Sequence, residues 1–233
     1  MTEDAAALPA NNRFALRQVA RAQRKAALAT SLDGRPYVSL VTLAFDHDLS
    51  PILLLSGLAD HTRNLRADPR ASLLLDGTEG HANPQTGPRV TLVGSAEPDS
   101  DPRLRSRFLA RHPAAALYAG FGDFGIWRLR IERVHFVGGF ARAVWFDAPL
   151  VSEAAAAAMA TAETGLLDRI NALAPEQLAG LVGGGAWQAV GIDLDGVDLA
   201  SGEASARVDF DTPAEGPEQA WRSFVNTAGQ AFE

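Results

Sequence analysis

The dipeptide Asp33-Gly34 constrains this chain more than any other single feature. It lies between two apolar runs in AALATSLDGRPYVSLVTLAFD, and Asp-Gly supplies the positive φ angles of a two-residue hairpin turn. Two antiparallel strands therefore open the fold. Short apolar runs follow in PILLLSG, ASLLLDG and RVTLVGSAEP, bounded by glycine or proline as buried strands are. Gly94 inside the last of these marks a bulge or bend. FGIWRLRIERVHFVGGFARAVWF reads as two long strands, bent near Glu132–Arg133 and again near Gly138-Gly139. Six or more strands with few helices in about 150 residues imply an antiparallel barrel, which closes on itself and leaves no exposed edge.

Helix signals frame these strands. Residues 13–29 place Phe14, Leu16, Val19, Ala20 and Ala27 at near-helical spacing among basic residues, the pattern of an amphipathic helix. Between Asp99 and Tyr118, Asp101 is placed to cap a helix, Pro102 suits its first turn, and Pro113 interrupts it. Beyond Asp147-Ala148-Pro149 the composition changes to an Ala-rich helical stretch with breaks expected at Gly165, Pro175 and Gly183–Gly185. WQAVGIDLDGVDLAS and EASARVDFD then read as a hairpin, and PEQAWRSFVNTAGQAF as a closing helix. The expected organisation is a mainly β unit over 13–148 and a small acidic α+β unit over 152–233.

Charge divides the chain at the same place. Residues 1–150 hold 18 Arg+Lys against 15 Asp+Glu, while residues 151–233 hold 3 against 13. Such an acidic tail disfavours nucleic acid as a partner, because duplex binding needs concentrated positive charge. With no cysteine, disulfides, thiolate metal sites and thiol nucleophiles are excluded. No stretch approaches the roughly 20 apolar residues of a membrane helix, and the N-terminus is acidic and polar where a signal peptide is basic and then apolar. A cytoplasmic protein without membrane contact is expected.

One segment carries the outline of a binding site. In SGLADHTRNLRADP, a helix begun at Asp60 and stopped by Pro69 turns the amides of His61 to Arg63 outward at its positive end, where an anion is stabilised. His61, Thr62, Arg63 and the nearby Ser56 add side-chain donors. The same residues also fit a plain helix start, with Asp60 as its cap and the arginines in solvent. The five histidines, at 47, 61, 81, 112 and 135, show no metal-ligand spacing. DLDGVD departs from a calcium loop, because Val197 stands at a ligand position and Ala204 replaces the closing glutamate, and it reads as a turn. The Gly/Pro-rich stretch around His81 reads as a loop. No side chain stands out as a catalytic acid or base.

In order and spacing, GRPYVSLVTLAFD, PILLLSGLADHTRNLRADPRASLLL and RVTLVGSAEP resemble the flavin-binding split barrel of the pyridoxamine 5'-phosphate oxidase family over about residues 15–147. The resemblance implies a six-stranded antiparallel split β-barrel with flanking helices, followed by the small α+β domain. It implies a homodimer that binds flavin mononucleotide (FMN) in clefts shared by two copies and acts as a flavin-dependent oxidoreductase on a small molecule, the flavin supplying the chemistry. Carried over, Ser39 falls at a phosphate-contacting position and the phosphate leans on Ser56, His61, Thr62, Arg63 and the helix end, with Asn64 also in the cofactor site. The strand backbone at Leu40, Val41 and Thr42 edges the ring, and Arg89 reaches the neighbouring copy's flavin. Ser39 and Ala44 stand where the oxidases carry cations. SGLADHTRNL, RFLARHPAAALYAGFGDFGIWRL and VGGFARA with the acidic domain behind are also similar to the haem-iron utilisation subfamily. That likeness implies haem as ligand or substrate, with Arg142 near a propionate. No histidine follows His135, so an iron ligand would come from elsewhere in the chain. A barrel without cofactor is the third reading.

Overall fold

A computed structural model describes residues 11–230. Strands β1 (Lys25–Leu32) and β2 (Arg35–Phe45) pair across Asp33 and Gly34, whose φ angles of 50° and 78° are both left-handed, as the two-residue turn requires. β3 (Pro51–Ser56), β4 (Arg70–Asp76), β5 (Arg89–Pro98), β6 (Phe124–Val137) and β7 (Ala143–Asp147) complete a sheet of order β3-β2-β1-β4-β5-β6-β7. β3 pairs with β6 as well, so β1 to β6 close into a six-stranded antiparallel barrel and β7 extends it. Leu28, Leu73, Leu92 and Val134 form one inward row across β1, β4, β5 and β6, and all four are fully buried. At Gly94 the register of β5 against β6 shifts, and an added Cβ would lie 1.9 Å from the Arg130 carbonyl oxygen. Only glycine admits that approach.

Helices cap and flank the barrel. α1 (Asn12–Ala22) starts at Asn11, whose side chain accepts from the amides of Arg13 and Phe14. It ends at Ala22 rather than reaching residue 29, because Ala26 and Leu28 belong to the alternating pattern of β1. α2 (Asp60–Ala67) closes one barrel end. In α3 (Pro102–Arg111) the Asp101 side chain accepts from the Arg103 amide, and Pro113 ends the helix before the short α4 (Ala116–Ala119).

The C-terminal part differs from the sequence expectation in two places. α5 (Glu153–Asn171) runs through Gly165 without a break, since the cost of one glycine, about 1 kcal/mol, is small against a long alanine-rich helix packed on its neighbours. The expected two-stranded hairpin is a three-stranded sheet: residues 187–201 divide at the turn read from DLDGVD into β8 (Gln188–Ile192) and β9 (Gly196–Ser201), and β10 (Ala204–Asp209) pairs with β9. α6 (Pro175–Val182) ends at Gly183 in the left-handed region, and α7 (Pro217–Gln230) closes the chain.

An ionic seam joins this layer to the barrel. Arg17 and Arg21 of α1 both donate to Asp195, at 2.7 and 2.9 Å, and Arg111 of α3 pairs with Asp198. Arg207 of β10 donates to Asp193 and Asp198, and Arg107 of α3 pairs with Glu163 of α5. DLDGVD is thus the turn whose carboxylates receive the barrel's arginines, which accounts for the opposite charges of the two parts.

Candidate functional site

The anion-site segment folds as a helix start. β3 ends at Ser56, whose hydroxyl donates to the Asp123 carboxylate at 2.5 Å and accepts from the Leu58 amide at 3.1 Å. Ala59 caps α2 without a side-chain bond, so helix polarity alone favours an anion there. Ser39 Oγ lies 3.2 Å from His61 Nδ1. Burial pushes the His61 imidazole below its ordinary value, against the opposing pull of Asp60, so at neutral pH it offers a hydrogen bond but no charge. Arg63 turns back on its own helix start, donating to the Leu58 carbonyl at 2.8 Å and pairing with Asp60. Carboxylates of Asp60 and Asp123 therefore flank the segment, the Arg63 guanidinium is already engaged, and the Arg66 guanidinium lies against Gly57.

Three residues expected to touch a cofactor face inward. Thr62 is fully buried, with its hydroxyl unpartnered, and Asn64 is buried while donating to Thr30 at 3.0 Å. Val41 lies in the barrel core. Strand alternation and the amphipathic face of α2 turn these side chains away from solvent. Leu40 and Thr42 point the other way, outward. Arg89 stands on that outer surface and donates to the Gly87 carbonyl at 3.3 Å, while Arg142, in the turn after β6, donates to Asn12 at 2.5 Å and lies over the Phe136 ring.

The outer surface of the barrel holds a second constellation. Following the register, Leu40, Ala27, Leu74, Thr91, His135 and Trp145 form one row across β2, β1, β4, β5, β6 and β7. Val38, Ala29, Ser72, Val93, Arg133 and Asp147 form the next. A solvated sheet face would alternate polar outward, yet here Leu40 is 75% exposed, Val38 63%, Trp145 49% and Leu74 42%. Along β1, β2 and β4 the face is apolar where water should meet it. At its hairpin end a groove of about 400 Å³ is lined by Ala29, Arg35, Arg70, Ser72, Val93 and Glu132, among others. His135 stacks on Trp145 at 4.7 Å, and Arg133 lies over the same indole at 4.8 Å.

Sequence reasoning named the α2 segment but missed His135, Trp145, Arg133, Arg35 and Arg70. The signal was present in RVHFV and AVWFD, where the residues alternating with the core Val134, Phe136 and Phe146 must share the outer face. Among the described residues no group of three or more His, Asp or Glu is arranged to hold a metal ion.

Comparison with known proteins adds relatives of two kinds. The family profile described as pyridoxamine 5'-phosphate oxidase matches residues 14–138. The non-canonical heme oxygenase HOZ, chloroplastic, of Arabidopsis thaliana is 41% identical over 114 residues, covering 48% of this chain and 34% of that protein's length. The protein Atu2129 of unknown function from Agrobacterium tumefaciens superposes with a TM-score of 0.72 at 32% identity, covering 95% of each chain. The heme binding protein from Mycobacterium smegmatis superposes with a TM-score of 0.56 at 30% identity, covering 98% of this chain and 99% of that one.

Proposed function

The chain belongs to the pyridoxamine 5'-phosphate oxidase family, and within it we propose that this chain is a haem-binding split-barrel protein whose macrocycle lies on the outer sheet face. The observation that carries this reading is the face itself. An exposed apolar patch of Val38, Leu40, Ala27 and Leu74 meets a groove rimmed by Arg35 and Arg70, while His135 lies further along the same row of the sheet. Arg70 pairs with Asp68 at 2.6 Å and would exchange that carboxylate for a propionate. A flat apolar ring bearing carboxylates matches that distribution, and burying exposed apolar surface would supply much of the affinity. The full-length likeness to the heme binding protein of Mycobacterium smegmatis supports the same assignment. The apolar face also fits a second copy of the chain closing over the ligand, as the homodimer expectation requires.

Titration of the purified protein with haem, followed by absorbance, tests this. The wild-type chain should show a saturable Soret band, and replacing both Arg35 and Arg70 by alanine should weaken binding by roughly tenfold, a loss of about 1.4 kcal/mol. An unchanged affinity would remove the propionate role of those arginines.

A second reading has its own observation. The N-terminus of α2, with Ser39 and His61 in contact beside it, can take the phosphate of FMN. Arg63 is paired and His61 neutral, which leaves Arg66, against Gly57, as the remaining cation of the segment. The flavin reading stands behind the haem reading because, among the described residues, no exposed apolar face adjoins this phosphate position. FMN affinity lowered at least about tenfold in a Ser39→Ala, His61→Ala double variant would favour it.

A further inference from the structure

Five histidines could in principle ligate iron, and the structure separates them. His47 is buried, 1% exposed, with Nε2 at 3.1 Å from Glu163. His112 is buried, with Nε2 at 2.8 Å from the Leu43 carbonyl. His61 is held against Ser39 at the barrel end, on the inward-facing side of β2. His81 lies in the loop between β4 and β5, with its ring packed against Gly87. His135 alone stands on the exposed apolar face, opposite Thr91 on one strand and Trp145 on the other.

The surroundings of His135 suit a ligand. Neither of its ring nitrogens is hydrogen bonded among the described residues, so a lone pair is free in the neutral form whichever tautomer is present. Its ring is nearly parallel to the Trp145 indole, at 18° between planes, which fixes its orientation without using a nitrogen. Arg133 lies over the same indole and is tied to Asp147 at 3.2 Å, so the stack is braced from its other members. Thr91 is a small neighbour that leaves the approach over β5 open, and beyond it the row continues with Leu74, Ala27 and Leu40. Side chains stand roughly perpendicular to a sheet, so the ring projects from the surface on which a flat ligand would rest.

We propose that His135 is the iron ligand of this chain, with Trp145 as the positioning residue that holds its ring; the assignment rests on the haem reading given above. An imidazole is a common axial ligand to haem iron, and a neighbour that orients the ligand ring without occupying a nitrogen does the work usually done by a hydrogen bond to the distal ring nitrogen. The ligand thus comes from β6 of the barrel.

Absorption and electron paramagnetic resonance spectra of the ferric haem complex decide the matter. Wild-type protein should give the spectrum of an imidazole-ligated haem. His135→Ala should lose it and weaken binding by roughly tenfold or more, while added free imidazole restores the spectrum. Trp145→Leu should keep the ligand but shift the spectrum, and His81→Ala should change neither. Circular dichroism on each variant establishes that it is folded. A wild-type spectrum in folded His135→Ala, or its loss in His61→Ala or His81→Ala instead, overturns the ligand assignment and leaves haem binding standing. Absence of any saturable Soret band in the wild-type protein overturns the haem reading itself, and the assignment with it.

Discussion

Glu163 is the residue on which three donors from different elements converge. Its carboxylate pairs with Arg107, lies 3.1 Å from His47 Nε2 and accepts from the Ile192 amide at 3.2 Å. Burial alone would raise its pKa, but Arg107 and the other donors outweigh that and hold it at about 2. Glu163→Ala would leave buried Arg107 with the more distant Asp193 carboxylate, at 4.0 Å, as its nearest counter-charge, and a loss of about 3 kcal/mol in denaturant unfolding is expected. Glu163→Gln, which keeps the acceptor oxygen, should cost less. Asp195 has the same standing, being fully buried between Arg17 and Arg21.

These groups also set the direction of the pH dependence. A carboxylate whose folded pKa is depressed stabilises the fold fully above its unfolded value, and that stability is lost as pH falls through the folded value. For Glu163 the window runs from its ordinary value near 4.5 down to about 2. Burial also pushes His47 and His112 below their ordinary value near 6.5, so the unfolded chain takes up their protons first and the loss begins as pH drops below that value. Thermal melts across pH 3 to 8 should show Tm falling on the acid side, and Glu163→Gln should flatten the lower part of the curve. Little of this was legible in the sequence. Arg17, Arg107 and Glu163 look like solvent-facing helix residues until the packing of α1, α3 and α5 against the β8–β9 turn is known.

At the level of elements, alternation and turn chemistry carried most of the information. Asp33-Gly34, the bulge at Gly94, the cap at Asp101 and the break at Pro113 follow from local backbone preferences, and the structure has each of them. Where neighbours decide, the sequence was silent or misleading. The end of α1, the passage of α5 through Gly165 and the division of β8 from β9 depend on what each segment packs against. The outer face is the most consequential case. Alternation separates it from the core, but only the order of strands in the sheet brings Leu40, Leu74, His135 and Trp145 into one row. Gly94 gives this level its test. A methyl group there would meet the Arg130 carbonyl oxygen at 1.9 Å, so Gly94→Ala must displace backbone in β5 or β6. A loss of about 1–3 kcal/mol is expected in chemical unfolding, whereas Gly122→Ala, in an open loop, should change stability little.

For the molecule as a whole, the barrel and the acidic layer are joined through both an apolar core and the ionic seam. The seam turns toward the interior what would otherwise be a strongly acidic surface, and leaves the outer sheet face as the broad apolar surface of the barrel. If that face is shared by two copies, Leu40→Asp should shift the protein toward monomer in sedimentation equilibrium without lowering its helix and strand content. Among the described residues no helix is long and apolar enough to cross a membrane.

The central claim is that this face binds haem, and equilibrium titration of the purified wild-type chain with haem tests it most directly. The account predicts a Soret band that saturates at a fixed ratio of haem to chain and is weakened when Leu40 and Leu74, outside the ionic seam and the core, are both replaced by polar residues. A band that grows without saturating, or protein that carries flavin as isolated and gives no Soret change on haem addition, would contradict it.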